Sequence, residues 1–321
     1  MKAAVYYETG GPEVFRYEDL PDPTCHPRGI LVRVEAVSIE GGDVLSRAGG
    51  VLATTPHVVG YQAAGTIVEV GEQVTDRQEG QRVVTTAPFG SHAELRSVPV
   101  SSSWVIPDGL ATEDAATVPV PFGTADDCLF EFGRLQAGET VLIQGAGGGV
   151  GVAAVQLAKR AGATVIGAAS QDEKLEALRA YGLDHGVNYR TADLVSSVMS
   201  LTEGRGCDLV VDPVGGNVLQ GSLACLAYRG RAITVGNASR ESRLVDLGGL
   251  GQGNQSITGV YLGAELARGS RAYDMIAGHL RDMAAGSLRA VIDRRFPLAE
   301  AEEAHRYIES RQAFGRVLLI P

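Results

Sequence analysis

The sequence predicts an α/β protein of two domains, a β-rich domain followed by a domain built on a doubly wound parallel sheet. The chain has 321 residues, more than one ordinary core requires. The sequence pattern changes near residue 140. Short β-branched runs come before this point, and short apolar strands alternate with helical segments after it. Such alternation indicates right-handed βαβ crossovers and a parallel sheet that helices cover on both faces.

Residues 1–120 are predicted to form the first domain. Their short β-branched runs are separated by Gly, Pro and Asp, which is the pattern of strands joined by turns. The runs are "KAAVYYE", "GILVRVEAVSI", "AAGTIVEVG", "QRVVTTA" and "SHAELRSVPV". A compact, partly open barrel is the expected arrangement.

Residues 121–262 are predicted to form the second domain. A strand "TVLIQG" precedes a helix from Val150 to Ala161, and we expect a later helix over "NVLQGSLACLAYRG" before the strand "RAITVG". Residues 263–321 contain the helical stretch "AELARGSRAYDMIAGHLRDMAAG", the strand "AVIDRRF", another helix and the final strand "GRVLLI". This segment is too small for a core of its own, so we expect it to return to the first domain.

The composition argues against several classes of protein. The 28 Lys and Arg against 38 Asp and Glu give a formal charge of −10, and no Lys/Arg cluster interleaved with aromatic residues is present to bind a phosphodiester backbone. No run approaches the roughly 18 apolar residues of a membrane span. The four cysteines lie far apart, and the start lacks the apolar segment of a signal peptide. We therefore expect a cytoplasmic protein without disulfides and with neither nucleic acid nor membrane as a partner.

The most informative stretch is "GAGGGVG" at residues 145–151. It lies where a βαβ unit turns from strand into helix. Glycines there permit a tight turn and let backbone N–H groups and the helix N-terminus face a pyrophosphate. A plain tight turn is the alternative, but the strand before it, the apolar helix after it and the further βα units downstream favour a dinucleotide as the ligand.

The end of the second strand indicates which dinucleotide. An NAD site usually has an Asp or Glu there for the ribose 2′-OH, whereas this chain has Ala168, Ala169 and Ser170. Ser170 can donate to a 2′-phosphate and Lys174 can supply its charge, so NADPH is favoured over NADH. In the alternative interpretation, Ser170 and Glu173 form a capping box and Lys174 is a solvated helix residue.

Three motifs, "GETVLIQGAGGGVGVAAVQLAKRAGATVIGAAS", "GCDLVVDPVGG" and "LAYRGRAITVGNAS", resemble the nucleotide-binding half of the zinc-free quinone oxidoreductases, the ζ-crystallin-like branch of the medium-chain dehydrogenase/reductase superfamily. The resemblance runs over nearly the whole chain, from "VGYQAAGTIVEVG" in the first domain to "FPLAEAEEAHRYIESRQAFGRVLL" at the end. It implies a GroES-like β-barrel catalytic domain, a Rossmann domain with a six-stranded parallel sheet, an active site in the cleft between them and a homodimer.

By this resemblance a set of residues would surround the cofactor NADPH. Gly148, Gly149 and Val150 would pack on the pyrophosphate, and the 2′-phosphate would be surrounded by Ser170, Lys174 and Tyr189. The residues near the nicotinamide, its ribose and the phosphates would be Thr124, Gly236, Asn237, Val260 and Tyr261. Two of these have a plain structural alternative, since Tyr189 could simply close the third strand and Val260 could belong to the core.

Relatives with zinc carry a Cys in the loop after the third barrel strand and then a Gly-His-Glu motif. This chain has Glu40 in "SIEGGD" and Tyr61 and Gln62 in "GYQAAG" at those places, and neither Tyr nor Gln is a favoured zinc ligand. His57 has no second His or Cys at ligand spacing and is interpreted as structural. We therefore expect no zinc. Without a metal to polarise an alcohol, reduction of a quinone or an α,β-unsaturated carbonyl becomes the expected reaction.

The substrate side departs from the family. Where many relatives have Asn and then Tyr in the pattern "NPVDTYIRSG", this chain has Glu40 and Leu45, so a favourite proton donor is absent. Glu40 is a candidate for proton donation, for fixing geometry or for a solvated loop position; Asp43 is a candidate catalytic residue and, alternatively, the N-cap of a short helix. The expected function is NADPH-dependent reduction of a small quinone or enone. The alternatives are an enoyl-thioester reductase of a biosynthetic pathway and a cofactor-binding, non-catalytic crystallin-like protein.

Overall fold

The structure, a computed structural model, describes residues 1–241 and 244–321. The chain divides into two compact units, the first comprising Met1–Val120 and Asp274–Pro321 and the second comprising Pro121–Tyr273. Residues 263–273, which the sequence assigns to the C-terminal segment, group with the second unit. None of the described helices combines the length and the apolar character that crossing a bilayer requires.

The N-terminal part of the first unit consists mainly of short strands. Helices α1 (Gly41–Gly49) and α2 (Thr112–Ala116) lie among them. The strands are β1 (Lys2–Tyr6), β2 (Arg16–Asp19), β3 (Gly29–Ser38), β4 (His57–Val58), β5 (Gln62–Val70), β6 (Arg82–Thr86), β7 (Leu95–Pro99) and β8 (Ser103–Val105). β3 is the longest of them and pairs antiparallel with both β5 and β7. The inward-facing side chains of these strands form an apolar cluster of Ile30, Val32, Ile67, Val83 and Val98.

Strands and helices alternate through the second unit. α3 (Pro119–Asp126) leads into it and continues as a π-helical turn over Asp127–Glu131. The elements that follow are β9 (Thr140–Ile143), α4 (Gly149–Arg160), β10 (Thr164–Ala169), α5 (Asp172–Arg179), β11 (His185–Asn188), α6 (Leu194–Leu201), β12 (Cys207–Asp212), α7 (Gly216–Ala224), β13 (Leu226–Thr234), β14 (Ser256–Gly259) and α8 (Leu262–Arg268).

The sheet of the second unit has six strands in the order β11-β10-β9-β12-β13-β14, and every neighbouring pair is parallel. The predicted six-stranded Rossmann sheet is therefore confirmed. The strand order reverses between β9 and β12. In open parallel sheets, ligands bind beyond the carboxyl ends of the strands at such a point, so this edge is where a cofactor site is expected.

One helix is shorter than the sequence suggests. The helix expected over residues 217–230 ends at Ala224, and Leu226 already begins β13. The apolar run "LACLA" is compatible with a helix, but Leu226 pairs with Cys207 in the parallel sheet, and the strand then bulges around Arg229, which has a φ of 61°. Pairing with a distant strand has overridden the local helical pattern.

The C-terminal segment adds strands to the sheet of the first unit. It contains α9 (Arg271–Ala284), β15 (Ile292–Pro297), α10 (Ala301–Glu309) and β16 (Arg316–Ile320). The helical stretch expected after residue 262 is interrupted at Gly269, where the backbone is extended, so α8 and α9 are separate. β16 pairs antiparallel with β3, and β15 runs parallel to β16. The order of the completed sheet is β15-β16-β3-β5-β6-β8.

Two histidines face each other inside the first unit. His92 Nε2 lies 3.0 Å from His305 Nε2, and the ring of Phe15 stacks on His92 and meets His305 edge-on. Both imidazoles are buried. Burial lowers the pKa of His92 to about 3 and holds the pKa of His305 well below its usual value, so both rings are neutral at neutral pH.

We predict that this pair makes the protein sensitive to acid. A histidine that stays neutral when folded takes up a proton on unfolding below about pH 6.5, so stability falls by about 1.4 kcal/mol per pH unit for each such group. His305→Leu removes one of them, and its free energy of unfolding should decline less steeply than that of the wild type between about pH 6 and pH 4. Urea unfolding at several pH values measures both slopes.

The control for this comparison is His26→Leu, at an exposed histidine outside the pair. Equal slopes for the wild type and His305→Leu would show that the buried pair does not govern acid stability.

Candidate active site

The glycine-rich turn joins β9 to α4 at the carboxyl edge of the sheet. Gly148 is the N-cap of α4, and Gly149 and Val150 are its first two residues, so their amide groups lie at the positive end of the helix. Gly145 has a φ of +57°, which side chains rarely adopt, and a Cβ on Gly151 would stand 2.4 Å from the carbonyl oxygen of Gly145. The turn therefore excludes side chains at Gly145 and Gly151, as a phosphate-binding turn does.

We predict that Gly151→Ala destabilises the protein by about 1–3 kcal/mol, because the added methyl group meets backbone that cannot move aside. The matched control is Gly221→Ala in α7, where a Cβ would meet Leu194 Cδ2 at an ordinary 3.7 Å. The control should be neutral or stabilise by up to about 1 kcal/mol, since alanine favours helix. Urea unfolding compares the two variants, and equal changes would contradict the tight packing of the turn.

Residues predicted to hold a 2′-phosphate lie at the ends of β10 and β11. Ser170 follows β10, Tyr189 follows β11, and the Tyr189 amide donates to the carbonyl oxygen of Ala169 over 3.2 Å. Lys174 lies in the first turn of α5 and is only 9% exposed, so it is not a solvated helix residue. The N-cap of α5 is Gln171 rather than Ser170. The alternative capping box of Ser170 and Glu173 therefore does not match the start of this helix.

The remaining predicted cofactor residues are divided between this edge and α3. Gly236 and Asn237 follow β13, and Val260 and Tyr261 follow β14. Val260 is buried, whereas Tyr261 is 72% exposed and is the N-cap of α8. Thr124 is buried within α3. The strand ends therefore bring most of the predicted set to one edge of the second unit.

Sequence reasoning missed a buried polar network at the centre of this edge. Asp212, the last residue of β12, is fully buried; its Oδ1 accepts from the amides of Val214 at 2.8 Å and Gly215 at 2.9 Å. Its Oδ2 accepts from Ser222 Oγ at 2.7 Å, and Gln144 Nε2 donates to the same hydroxyl over 3.1 Å. These bonds fix the turn after β12 beside the glycine-rich turn. The signal was present in "VVDPVGG", where an acid, Pro and Gly follow an apolar strand.

In the first unit, Glu40 lies at the N-cap of α1 and is 4% exposed. Its Oε1 accepts hydrogen bonds from Gln62 Nε2 and Arg316 Nη2. Arg316 also donates to Ser38 Oγ over 2.9 Å and to the carbonyl oxygen of Ile39. Burial raises the pKa of Glu40 to about 8, although Arg316 acts in the opposite direction. Glu40 is therefore not a solvated loop residue.

Asp43 occupies the third position of α1, so the N-cap prediction for it was wrong. The helix begins at Gly41, and the Asp43 side chain reaches back past the helix start: Oδ2 accepts from the Glu40 amide at 2.8 Å and Oδ1 from the Tyr61 amide at 3.1 Å. Asp43 is fully buried, and burial raises its pKa to about 7. One carboxylate thus fixes the backbone before α1 and the backbone before β5.

Arg96, on β7, also binds the backbone that precedes β5. This buried residue of β7 donates from Nη2 to the carbonyl oxygens of Gly60 at 3.2 Å, Tyr61 at 2.9 Å and Phe89 at 3.0 Å. Burial lowers its pKa to about 9. Sequence reasoning singled out neither Arg96 nor Arg316, because nothing local distinguishes them from surface arginines. The described residues contain no group of three or more His, Cys, Asp or Glu that could hold a metal ion.

Comparisons with known proteins agree with both units. The family model described as "Alcohol dehydrogenase GroES-like domain" matches residues 26–108, and the one described as "Zinc-binding dehydrogenase" matches residues 149–277. A 2-haloacrylate reductase from Burkholderia sp. is 34% identical over 331 residues, covering 100% of this chain and 99% of the relative. A quinone oxidoreductase from Pseudomonas aeruginosa is 34% identical over 315 residues, covering 97% of each. The Escherichia coli quinone oxidoreductase complexed with NADPH superposes with a TM-score of 0.95 at 28% identity, covering 100% of both chains.

A GroES-like domain followed by a Rossmann sheet with a glycine-rich turn defines an oxidoreductase of the medium-chain dehydrogenase/reductase class. Within that class the chain belongs with the quinone oxidoreductases, as its motifs predict. Glu40, Tyr61 and Gln62, which the resemblance aligns with the zinc ligands of other relatives, belong to one hydrogen-bonded network with Asp43.

Proposed function

We propose that the protein is an NADPH-dependent reductase that transfers a hydride to a quinone or an α,β-unsaturated carbonyl without a metal. The observation that carries the proposal is the end of β10, where Ser170 and the buried Lys174 follow a strand that ends in alanine. A hydroxyl and a cation suit a 2′-phosphate, whereas a ribose 2′-OH is usually held by a carboxylate. The Escherichia coli relative solved with NADPH supports this assignment.

The second unit fits a dinucleotide, because its glycine-rich turn has no room for a Cβ at Gly151. We infer that Gly148, Gly149 and Val150 hold the pyrophosphate through backbone amides. The bound cofactor would supply the hydride. The 2′-phosphate would be held by Ser170, Lys174 and Tyr189, and the ribose and nicotinamide by Thr124, Gly236, Asn237, Val260 and Tyr261.

We predict that the protein binds NADPH more tightly than NADH and that Lys174→Ala removes most of this preference. The substitution should weaken the binding free energy of NADPH by about 1–2 kcal/mol, the value of a charge-assisted hydrogen bond. The binding of NADH should stay almost unchanged. Titration calorimetry with each cofactor measures both constants. Lys159→Ala is the matched control, because Lys159 lies on α4 and its Nζ pairs with Asp184 at 2.6 Å.

Two results would contradict the cofactor assignment. The first is NADH binding as tight as NADPH binding in the wild type. The second is an equal loss for both cofactors in Lys174→Ala, which would mean that Lys174 acts through the stability of α5 and not through the 2′-phosphate.

The charges around Glu40 favour an uncharged acceptor. The guanidinium groups of Arg96 and Arg316 are already bonded to protein oxygens. A substrate carboxylate would have to displace one of these bonds and leave a buried group unpaired. A quinone or an enone needs only hydrogen-bond donors for the oxygen on which charge develops. We therefore propose a neutral acceptor in preference to an anionic acrylate.

We further propose that Glu40 and Asp43 act by positioning. Both carboxylates are buried and bonded to other protein groups, and together they fix the start of α1 and the backbone of Tyr61. Ionisation of Glu40 would add negative charge close to the oxygen that becomes anionic during hydride transfer. The protonated form of Glu40 is therefore the more active form in this proposal.

We predict that kcat/KM of the wild type falls above about pH 8, as Glu40 ionises with its raised pKa, and that this fall is absent in Glu40→Gln. The turnover number of the variant at neutral pH should stay within about tenfold of the wild type, because Gln still accepts from Arg316 and Gln62. Steady-state kinetics with an enone over a range of pH measures both effects. Glu35→Gln, at an exposed residue of β3, is the matched control.

An unchanged pH profile in Glu40→Gln would remove Glu40 from the mechanism. A turnover number at least tenfold lower at neutral pH, with NADPH affinity intact, would instead identify Glu40 as the proton donor and contradict the positioning role.

We also propose a homodimer as the assembly. β14 is the last strand in the order of the Rossmann sheet, with β13 as its neighbour, so its outer edge carries backbone donors and acceptors that a second copy can pair.

A further inference from the structure

We propose that Tyr61 is a catalytic residue, the phenol that donates a hydrogen bond to the substrate oxygen on which negative charge develops. The inference rests on the proposed reductase function and adds a residue that contacts the substrate. Its basis is the placement of the Tyr61 phenol against Gly42 and Ser46 on the first turns of α1.

The backbone of Tyr61 is fixed before any substrate arrives. Its amide donates to Asp43 Oδ1 over 3.1 Å, and its carbonyl oxygen accepts from Arg96 Nη2 at 2.9 Å. Both partners are buried ionisable groups, which cost more to bury than apolar side chains would. Donors that are held in place in this way need no rearrangement when charge develops on the substrate, which is the condition for efficient electrostatic stabilisation.

The side chain is fixed as well. The ring lies directly on the helix backbone: a Cβ added to Gly42 would stand 2.3 Å from Tyr61 Cε2 and 2.9 Å from its Oη. The Oη atom is 3.3 Å from Ser46 Oγ, one turn further along α1. The phenol is therefore close to the N-terminal end of α1, where the positive end of the helix dipole favours a nearby anion.

Accessibility distinguishes Tyr61 from its charged neighbours. Glu40, Asp43, Arg96 and Arg316 are all buried, whereas Tyr61 and Ser46 are partly exposed. A molecule that approaches this network can contact Tyr61, whereas the four charged side chains are covered. The buried charges hold the phenol in place, and the phenol is the group that can contact the substrate.

Besides the hydride, the reduction needs one proton. A hydride brings two electrons to the conjugated carbon of the acceptor, and an electron pair moves onto the carbonyl oxygen. Tyr61 stabilises this oxygen through its O–H and gives it the proton, so that an enone passes through its enol. The resulting phenolate regains a proton from water, directly or through the Ser46 hydroxyl.

Tyr61→Phe tests this assignment, because phenylalanine keeps the ring on Gly42 and removes only the hydroxyl. With NADPH and 2-cyclohexen-1-one or 1,4-benzoquinone as the acceptor, kcat should fall at least about tenfold, while the dissociation constant of NADPH and the melting temperature stay unchanged. Tyr7→Phe is the matched control, since the Tyr7 hydroxyl donates to Glu18 over 2.8 Å elsewhere in the first unit.

A pair of glycine variants provides a second, independent test. Gly42→Ala keeps the hydroxyl but forces the ring away from the helix, and it should lower kcat about as much as Tyr61→Phe does. Gly41→Ala adds the same methyl group at the neighbouring position, where a Cβ meets nothing within 4 Å, and should retain wild-type turnover.

The outcomes separate this inference from the proposed function. A wild-type protein that oxidises NADPH with neither acceptor overturns both. An active wild type with Tyr61→Phe and Gly42→Ala each within about twofold of its kcat overturns the role of Tyr61 and leaves the reductase function standing.

Discussion

The buried hydrogen bond from Arg316 to Glu40 is the interaction on which the site in the first unit depends. The two residues are 276 positions apart in the chain. A buried guanidinium left without a partner costs about 3–5 kcal/mol, so the fold must bring Glu40 and Arg316 together. Arg316 is the first residue of β16, and the pairing of β16 with β3 brings it to the loop where Glu40 lies. The end of the chain therefore does more than complete a sheet, because it supplies a hydrogen-bond donor to the carboxyl group buried at the start of α1.

The sequence could predict what depends on neighbours along the chain. The glycines at 145–151, the alanine at the end of β10 and the alternation of strands and helices are local patterns, and the Rossmann sheet and its carboxyl edge follow from them. Local patterns gave the wrong secondary structure where pairing with a distant strand determines it. Leu226, for example, joins the sheet although its neighbours are compatible with a helix. The partners of Glu40 could not be predicted for the same reason, since no periodicity relates Gln62 or Arg316 to residue 40.

The candidate sites of the two units consist of different groups, backbone in one and side chains in the other. In the second unit the glycine-rich turn, which we propose binds the pyrophosphate, offers only backbone, and the buried Asp212 holds a neighbouring turn through two amides and a hydroxyl. In the first unit the site consists of side chains, with two carboxylates and two guanidinium groups buried around Tyr61. A backbone site is marked in sequence by glycine, whereas a side-chain site of this kind is defined only by three-dimensional contacts. Recognition of the cofactor was therefore easier to anticipate than recognition of the acceptor.

Burial in the first unit also has two opposite consequences for stability as pH changes. Glu40 and Asp43 have folded-state pKa values of about 8 and 7, above those of the free side chains, so the stability they contribute is complete in acid and is lost as pH rises toward these values. The pair of His92 and His305 has pKa values below the free value, so its contribution is lost as pH falls below about 6.5. Between about pH 4 and pH 6.5 the two effects oppose each other. At neutral pH, where we propose that the site works, the raised pKa values leave the carboxyl groups partly protonated, and the neutral histidines contribute their full stability.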